Sequence, residues 1–128
     1  MLLDPSGMTP KDLIARIERF ADAVIALCRA IPHDPLTIRL LTQLQDAATS
    51  TASNYRAACR AGSKAAFVSK LSIALEEADE AAGWLQRLEN NRLAPAKEVG
   101  RLLQEANEIS AILNASRETA TGRRRRQA

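Results

Sequence analysis

The 128-residue chain is 46% hydrophobic but only 3% aromatic, and 18 basic side chains against 15 acidic ones leave a formal charge of +3. A chain of this length builds one domain, and apolar content drawn mostly from alanine and leucine disfavours a β-sandwich or barrel and favours an all-α fold. One histidine, two cysteines and five glycines leave little material for metal clusters, Cys/His dyads or phosphate-cradling glycine loops, so neither an enzyme nor a cofactor is expected.

The first predicted helix opens at Thr9 as N-cap, with Pro10 at the first helical position, where a missing N–H costs nothing. Leu13, Ile17, Phe20, Val24, Leu27 and Ile31 follow at alternating spacings of three and four, flanked by Ile14, Ala21 and Cys28, and Pro32 ends the run. Asp34 caps the second helix and Pro35 repeats the first-position device. That helix is predicted over 36–61, with a buried stripe of Thr37, Leu40, Leu41, Leu44, Ala47, Ala48, Thr51, Tyr55, Ala58 and Cys59. Its middle, with Thr49, Ser50, Thr51, Ser53 and Asn54, has only middling helix propensity, so packing must hold it helical, and its small side chains permit close approach of another helix.

Gly62 breaks the chain and Ser63 caps a third helix over 64–90, with Phe67, Leu71, Ala74, Ala78, Ala81, Leu85 and Leu88 as its stripe. After Asn90, Asn91 and Pro95, a fourth helix carries Val99, Leu102, Ala106, Ile109 and Leu113 and fades near Arg117. Short connections make consecutive helices antiparallel, so the expected architecture is an up-down-up-down four-helix bundle over 9–118, with an extension at 1–8 and a flexible basic tail at 119–128. In that arrangement Cys28 and Cys59 lie near opposite ends, roughly 30 Å apart at 1.5 Å rise per residue, so they cannot pair. Both are read as small buried hydrophobes. Nothing at the N-terminus resembles a signal peptide and no apolar stretch is free of charge for long enough to span a bilayer, which points to the cytoplasm and away from membranes.

Arg123 to Arg126 form one run, and without them the formal charge changes from +3 to −1. The body is therefore nearly neutral, and a terminal arginine cluster reads most simply as a solvated tail. More informative is the interval between Asp46 and Glu76, which holds no acid but contains Arg56, Arg60, Lys64 and Lys70. These are the candidate nucleic-acid-binding residues, with solvated charge at a helical turn as the simpler alternative. The third helix carries Glu76, Glu77, Asp79 and Glu80 with no lysine or arginine three or four residues away. Such a cluster costs stability unless cations reach it from Arg16 or Arg19 within the chain, or from Arg56 or Arg60 of a neighbouring subunit. The sole histidine, His33, sits in a loop, so the Glu-x-x-His pairs of di-iron bundles are missing. Glu105 and Glu108 are the only candidates for opposing carboxylates on another helix. Trp84 reads as a core or subunit-interface anchor.

The block from Ser50 to Leu88 resembles the bacterial four-helix-bundle family related to proteins encoded in intervening sequences of large-subunit ribosomal RNA genes. The likeness rests on Asn54-Tyr55-Arg56-Ala57-Ala58-Cys59-Arg60-Ala61, Ser63-Lys64, Phe67, Lys70-Leu71, Ile73, Glu76-Glu77-Ala78-Asp79-Glu80 and Trp84-Leu85. It implies a ring-like homo-oligomer, typically a pentamer, of largely undefined biochemical function. A more distant branch is similar to accessory proteins of diversity-generating retroelements, which implies a reverse transcriptase and nucleic acid as partners. Gly62 stands where the close family more often has arginine, and Ala66 where it often has glutamate, so nucleic-acid binding inherited from the family is weaker here.

The expectation is a non-enzymatic homo-oligomeric adaptor that binds RNA or DNA with low specificity through Arg56, Arg60, Lys64 and Lys70. The subunits would meet through Asn54, Tyr55, Arg56, Glu76, Glu77, Glu80 and Trp84, head to tail. The alternative is a purely protein–protein scaffold.

Overall fold

The structure, a computed structural model, describes residues 7–122, and the run Arg123 to Arg126 lies outside them. Four helices follow in order: α1 (Pro10–Ala30), α2 (Thr37–Cys59), α3 (Lys64–Asn90) and α4 (Ala96–Thr121). Each packs on its neighbours in the chain, and α1 closes on α4, while the diagonal pairs α1/α3 and α2/α4 do not approach at the backbone. With such short connections this is a four-helix bundle, in which α1 starts, α2 ends, α3 starts and α4 ends at one common end.

The helix starts follow local chemistry. At Thr9 a complete capping box forms: the Asp12 N–H donates to Thr9 Oγ1, and the Thr9 N–H donates to Asp12 Oδ2, both at 3.1 Å. Asp34 caps α2 from two positions further out than the usual site, its Oδ1 accepting from the N–H of Thr37 (2.8 Å) and Leu36 (2.9 Å). Thr37 is buried at the head of the stripe because its hydroxyl is fully used, donating to the Pro32 carbonyl at 2.9 Å and accepting from the Asp34 N–H at 3.0 Å. At α3, Ser63 Oγ accepts from the Ala66 N–H at 3.1 Å.

The α3 exit is a Schellman motif, with the Arg92 N–H donating to the Glu89 carbonyl and the Leu93 N–H to the Leu88 carbonyl. Arg92 supplies the left-handed residue at φ 53°, a position that Gly or Asn usually takes. The neighbouring asparagines do not occupy it, because this register brings Leu93 back over Leu88 and the core.

The predicted stripes form one core. Leu13, Ile17, Val24, Leu44, Tyr55, Leu71, Leu85, Leu88, Val99, Ile109 and Leu113 are all sealed from solvent. Around the α2–α3 seam, Ala47, Ala48, Ala58, Ala74, Ala78 and Ala81 are buried too, and this is the most extensive pairing in the bundle. The polar middle of α2 stays helical with its hydroxyl and amide groups turned back on the backbone: Thr49 Oγ1 donates to the Gln45 carbonyl, Thr51 to Ala47 and Asn54 to Ser50.

Four expectations need correction. Helix α2 is shorter than predicted at both ends, while α4 continues to Thr121, where Gly122 turns left-handed at φ 78°, so the helix overruns the tail boundary expected at 119. Leu40 and Phe67 are half-buried at the margin of the core rather than within it. Cys59 is exposed, because the face that buries Tyr55 one turn earlier has run past the end of the core. Cys28 is buried as expected.

Substituting Arg92→Gly should stabilise the protein by about 1 kcal/mol in urea titrations, since glycine removes the left-handed penalty carried by a side chain, whereas Arg92→Val should destabilise it. The Thr37 and Leu36 N–H groups hold the Asp34 carboxyl below the ordinary carboxylate range. A carboxyl lowered on folding adds stability above its unfolded value, and this is lost as pH falls through the folded value. Asp34→Ala should therefore lower the urea midpoint at neutral pH, and the gap from wild type should narrow in acid.

Candidate nucleic-acid interface

The predicted basic residues gather where α2 ends and α3 begins. The α2 backbone closes with the Arg60 N–H donating to the Ala57 carbonyl and the Ala61 N–H to Ala58, and Ser63 starts the next helix. The C-terminal end of α2 carries the partial negative charge that favours Arg56 and Arg60. At the start of α3, Ser63 satisfies the N–H groups of Ala66 and Phe67, leaving those of Lys64 and Ala65 pointing outward where an anion is favoured.

The four candidates are not equivalent. Arg60, Lys64 and Lys70 are exposed and make no salt bridge among the described residues. Arg56 is paired within the chain, its guanidinium donating to Glu18 of α1. Six residues separate Lys64 from Lys70, so they point about 120° apart around α3. Lys70 therefore flanks the patch rather than extending it. Arg117 reaches the same end from α4 but donates to Asn114 Oδ1 at 3.2 Å, with Glu118 beside it accepting from Asn114.

The acidic cluster lies elsewhere on the hairpin. Glu76 and Glu80 are exposed and Glu77 half-buried, and no cation meets any of them among the described residues. Burial, then the charges of Glu80, Glu76 and Asp46 of α2, push the Glu77 carboxyl above its ordinary value. Trp84 lies one turn beyond Glu80, half-buried against the core, with its indole N–H a long 3.4 Å from Glu80 Oε1. Ile73, one turn before Glu77, is exposed on the same outer face.

The cations expected to reach this cluster go to α4 instead. The Arg16 Nε and Nη2 donate to the two carboxylate oxygens of Glu105 at 2.8 and 2.7 Å, and Nη2 also donates to Glu108 at 2.8 Å. The two-pronged bond to Glu105 holds the guanidinium firmly charged. Arg19 lines the shallow groove between α1 and α4 beside Phe20 and Leu102. Because α1 and α3 are diagonal, neither arginine can serve the acids of α3. Glu105 and Glu108, weighed only as opposing carboxylates, are thus the partners of Arg16. Their i,i+3 spacing beside the α4 stripe was the available signal, but using it required knowing that α1 borders α4.

Among the proposed interface residues, Tyr55 must be withdrawn as a direct contact, since its side chain is 0% exposed within its own bundle. Asn54 is half-buried, with its amide donating to the Ser50 carbonyl at 2.9 Å. Glu76, Glu77, Glu80 and Trp84 share the outer side of α3. No helix among the described residues is long and apolar enough to cross a membrane.

Comparison with known proteins adds a family. The family model described as 23S rRNA-intervening sequence protein matches residues 12–115. A crystal structure of a protein of unknown function from the S23 ribosomal protein family of Bacteroides thetaiotaomicron superimposes with a TM-score of 0.80 at 25% sequence identity, over 87% of this chain and 99% of that one. No curated protein matches the chain.

Losing Arg16 should cost more than losing Arg56. After allowance for solvent screening, Arg16→Ala is expected to destabilise the protein by about 1 kcal/mol and Arg56→Ala by less, as read by chemical denaturation. Glu77→Gln removes repulsion without a cavity and should stabilise the isolated subunit by roughly 0.2–0.5 kcal/mol at neutral pH. A raised carboxyl weakens the fold as pH rises through its folded value, so this gain should vanish in acid.

Proposed function

The chain belongs to the 23S rRNA-intervening sequence protein family, and we propose that it is a non-enzymatic homo-oligomeric bundle protein that binds RNA or DNA with low sequence specificity. The observation that supports this reading is the pair of exposed cations Arg60 and Lys64 at one turn, flanked by the exposed Lys70 further along α3, with no salt bridge among the described residues. They lie in the interval between Asp46 and Glu76, which holds no acid. Backbone phosphates answer such a patch, since cations at this spacing neutralise charge without reading bases. A near absence of aromatic side chains argues against stacking on unpaired bases. Arg56, tied to Glu18, contributes less.

The outer side of α3 supports the oligomer. Carboxylates without cations, beside the half-buried Trp84 and the exposed Ile73, suit a surface that a second copy covers with its own basic end. A ring, with five subunits as the expected number, follows from the family resemblance, and a cytoplasmic location accords with this reading. The scaffold alternative uses the same complementarity but consumes Arg60 and Lys64 entirely between subunits.

Fluorescence anisotropy with a generic RNA and a DNA fragment should show binding that falls with a log–log salt slope of roughly −0.7 to −0.9 per phosphate contacted. Reversing Arg60, Lys64 and Lys70 to glutamate should abolish it, whereas truncation after Thr121 tests the terminal arginines separately. A flat salt titration, or no binding by the intact oligomer, leaves the scaffold reading. Charge reversal at Glu77 and Glu80 together should lower the sedimentation coefficient, and an unchanged value would refute the head-to-tail pairing.

A further inference from the structure

The two cysteines differ in exposure and in surroundings. Cys28 is buried, its Sγ directed at the Leu41 carbonyl (3.9 Å), and burial pushes its thiol up to about 11. Cys59 is exposed on the last turn of α2. Arg60 follows it directly, and Lys64 opens the next helix one turn of chain later. One turn before it stands Tyr55, whose side chain is sealed from solvent and whose hydroxyl has no hydrogen-bond partner. Residues four apart share a helix face. The Cys59 thiol lies close enough to raise the Tyr55 phenol further than burial alone does, though outside hydrogen-bond geometry.

A buried hydroxyl without a partner needs an explanation, and this phenol is held protonated with its O–H unused. One turn back on the same face the Thr51 hydroxyl donates to the Ala47 carbonyl, and one turn on stands the sulfur of Cys59, which becomes a strong acceptor once it carries negative charge. We propose that Cys59 is a thiol-modification site for low-molecular-weight anionic disulfides, with Tyr55 as the residue that positions and stabilises the attacking sulfur.

The chemistry is thiol–disulfide exchange. Cys59 releases its proton to solvent, and its Sγ attacks one sulfur of the disulfide. The new Sγ–S bond forms as the old S–S bond breaks. The second thiolate leaves with the bonding pair and takes up a proton, so one disulfide is consumed and one free thiol released without any other oxidant. Arg60 and Lys64 favour an anionic reagent over a cationic one. An anionic adduct here would oppose nucleic-acid binding at the same end; that consequence rests on the function proposed above, but the modification itself does not.

The full chain, incubated with glutathione disulfide and no nucleic acid, should gain one adduct by intact mass, mapped to Cys59 and absent in Cys59→Ser. Cys28 should stay unmodified until the protein is denatured. Tyr55→Phe should slow the reaction roughly fivefold while leaving the melting temperature equal or higher, because it deletes an unpaired buried hydroxyl. A purely structural role for Tyr55 would not separate rate from stability in this way. Cationic cystamine should react more slowly than glutathione disulfide, with the gap closing as salt rises. An adduct on native Cys28, an undiminished rate in Tyr55→Phe, or equal rates for the two reagents at low salt would each overturn the proposal.

Discussion

Close approach of α2 and α3 is the constraint on which the rest of the structure depends. Alanines from both helices are buried around their seam, and side chains of that size let two long helices run together along most of their length. The cost appears in α2, whose small and hydroxylated residues are poor helix formers alone and bond back to their own carbonyls. Packing, rather than propensity, keeps that segment helical. The reward is a stiff hairpin that holds its turn, and the cations around it, in a defined place.

The hairpin also separates charge. Its turn end carries cations and its outer middle carries carboxylates, and neither group finds a partner on the other because both are fixed to the same rigid helices. Apart from Arg101 and Glu98 within α4, the opposite charges that meet among the described residues join different helices: Arg16 ties α1 to α4, and Arg56 ties α2 to α1. These intramolecular ties divide the surface, since they remove Arg16 and Arg56 from the charge available to partners and leave Arg60, Lys64, Lys70 and the α3 acids without an ion-pair partner among the described residues.

What could be seen in the sequence was whatever depended on neighbours along the chain. Thr9, Asp34 and Ser63 announced helix starts because capping is settled within four residues, and the apolar stripes announced the core because a helix repeats its faces. Pairing across the bundle was hidden. Arg16 was expected at the acids of α3, and only the order of helices around the bundle reveals its partners on α4. Cys59 continued the buried stripe in register, but burial depends on where the core stops as well as on angle. Arg92 took the left-handed position ahead of two asparagines because Leu93 had to reach Leu88, a preference set by packing and invisible to turn propensities. Tyr55 belonged to the family block and so suggested an interface, but its size and stripe position already placed it inside.

The seam between α1 and α4 is the sparsest in the bundle, and it is the one contact between helices that are not consecutive in the chain. Every other pairing forms between elements joined by a short turn, at little cost in loop entropy. The molecule therefore has low contact order, and folding can proceed from the central hairpin outward, with closure of α1 on α4 as the late and most reversible step. Arg16 and its two glutamates sit on that closing edge, and they act as its latch.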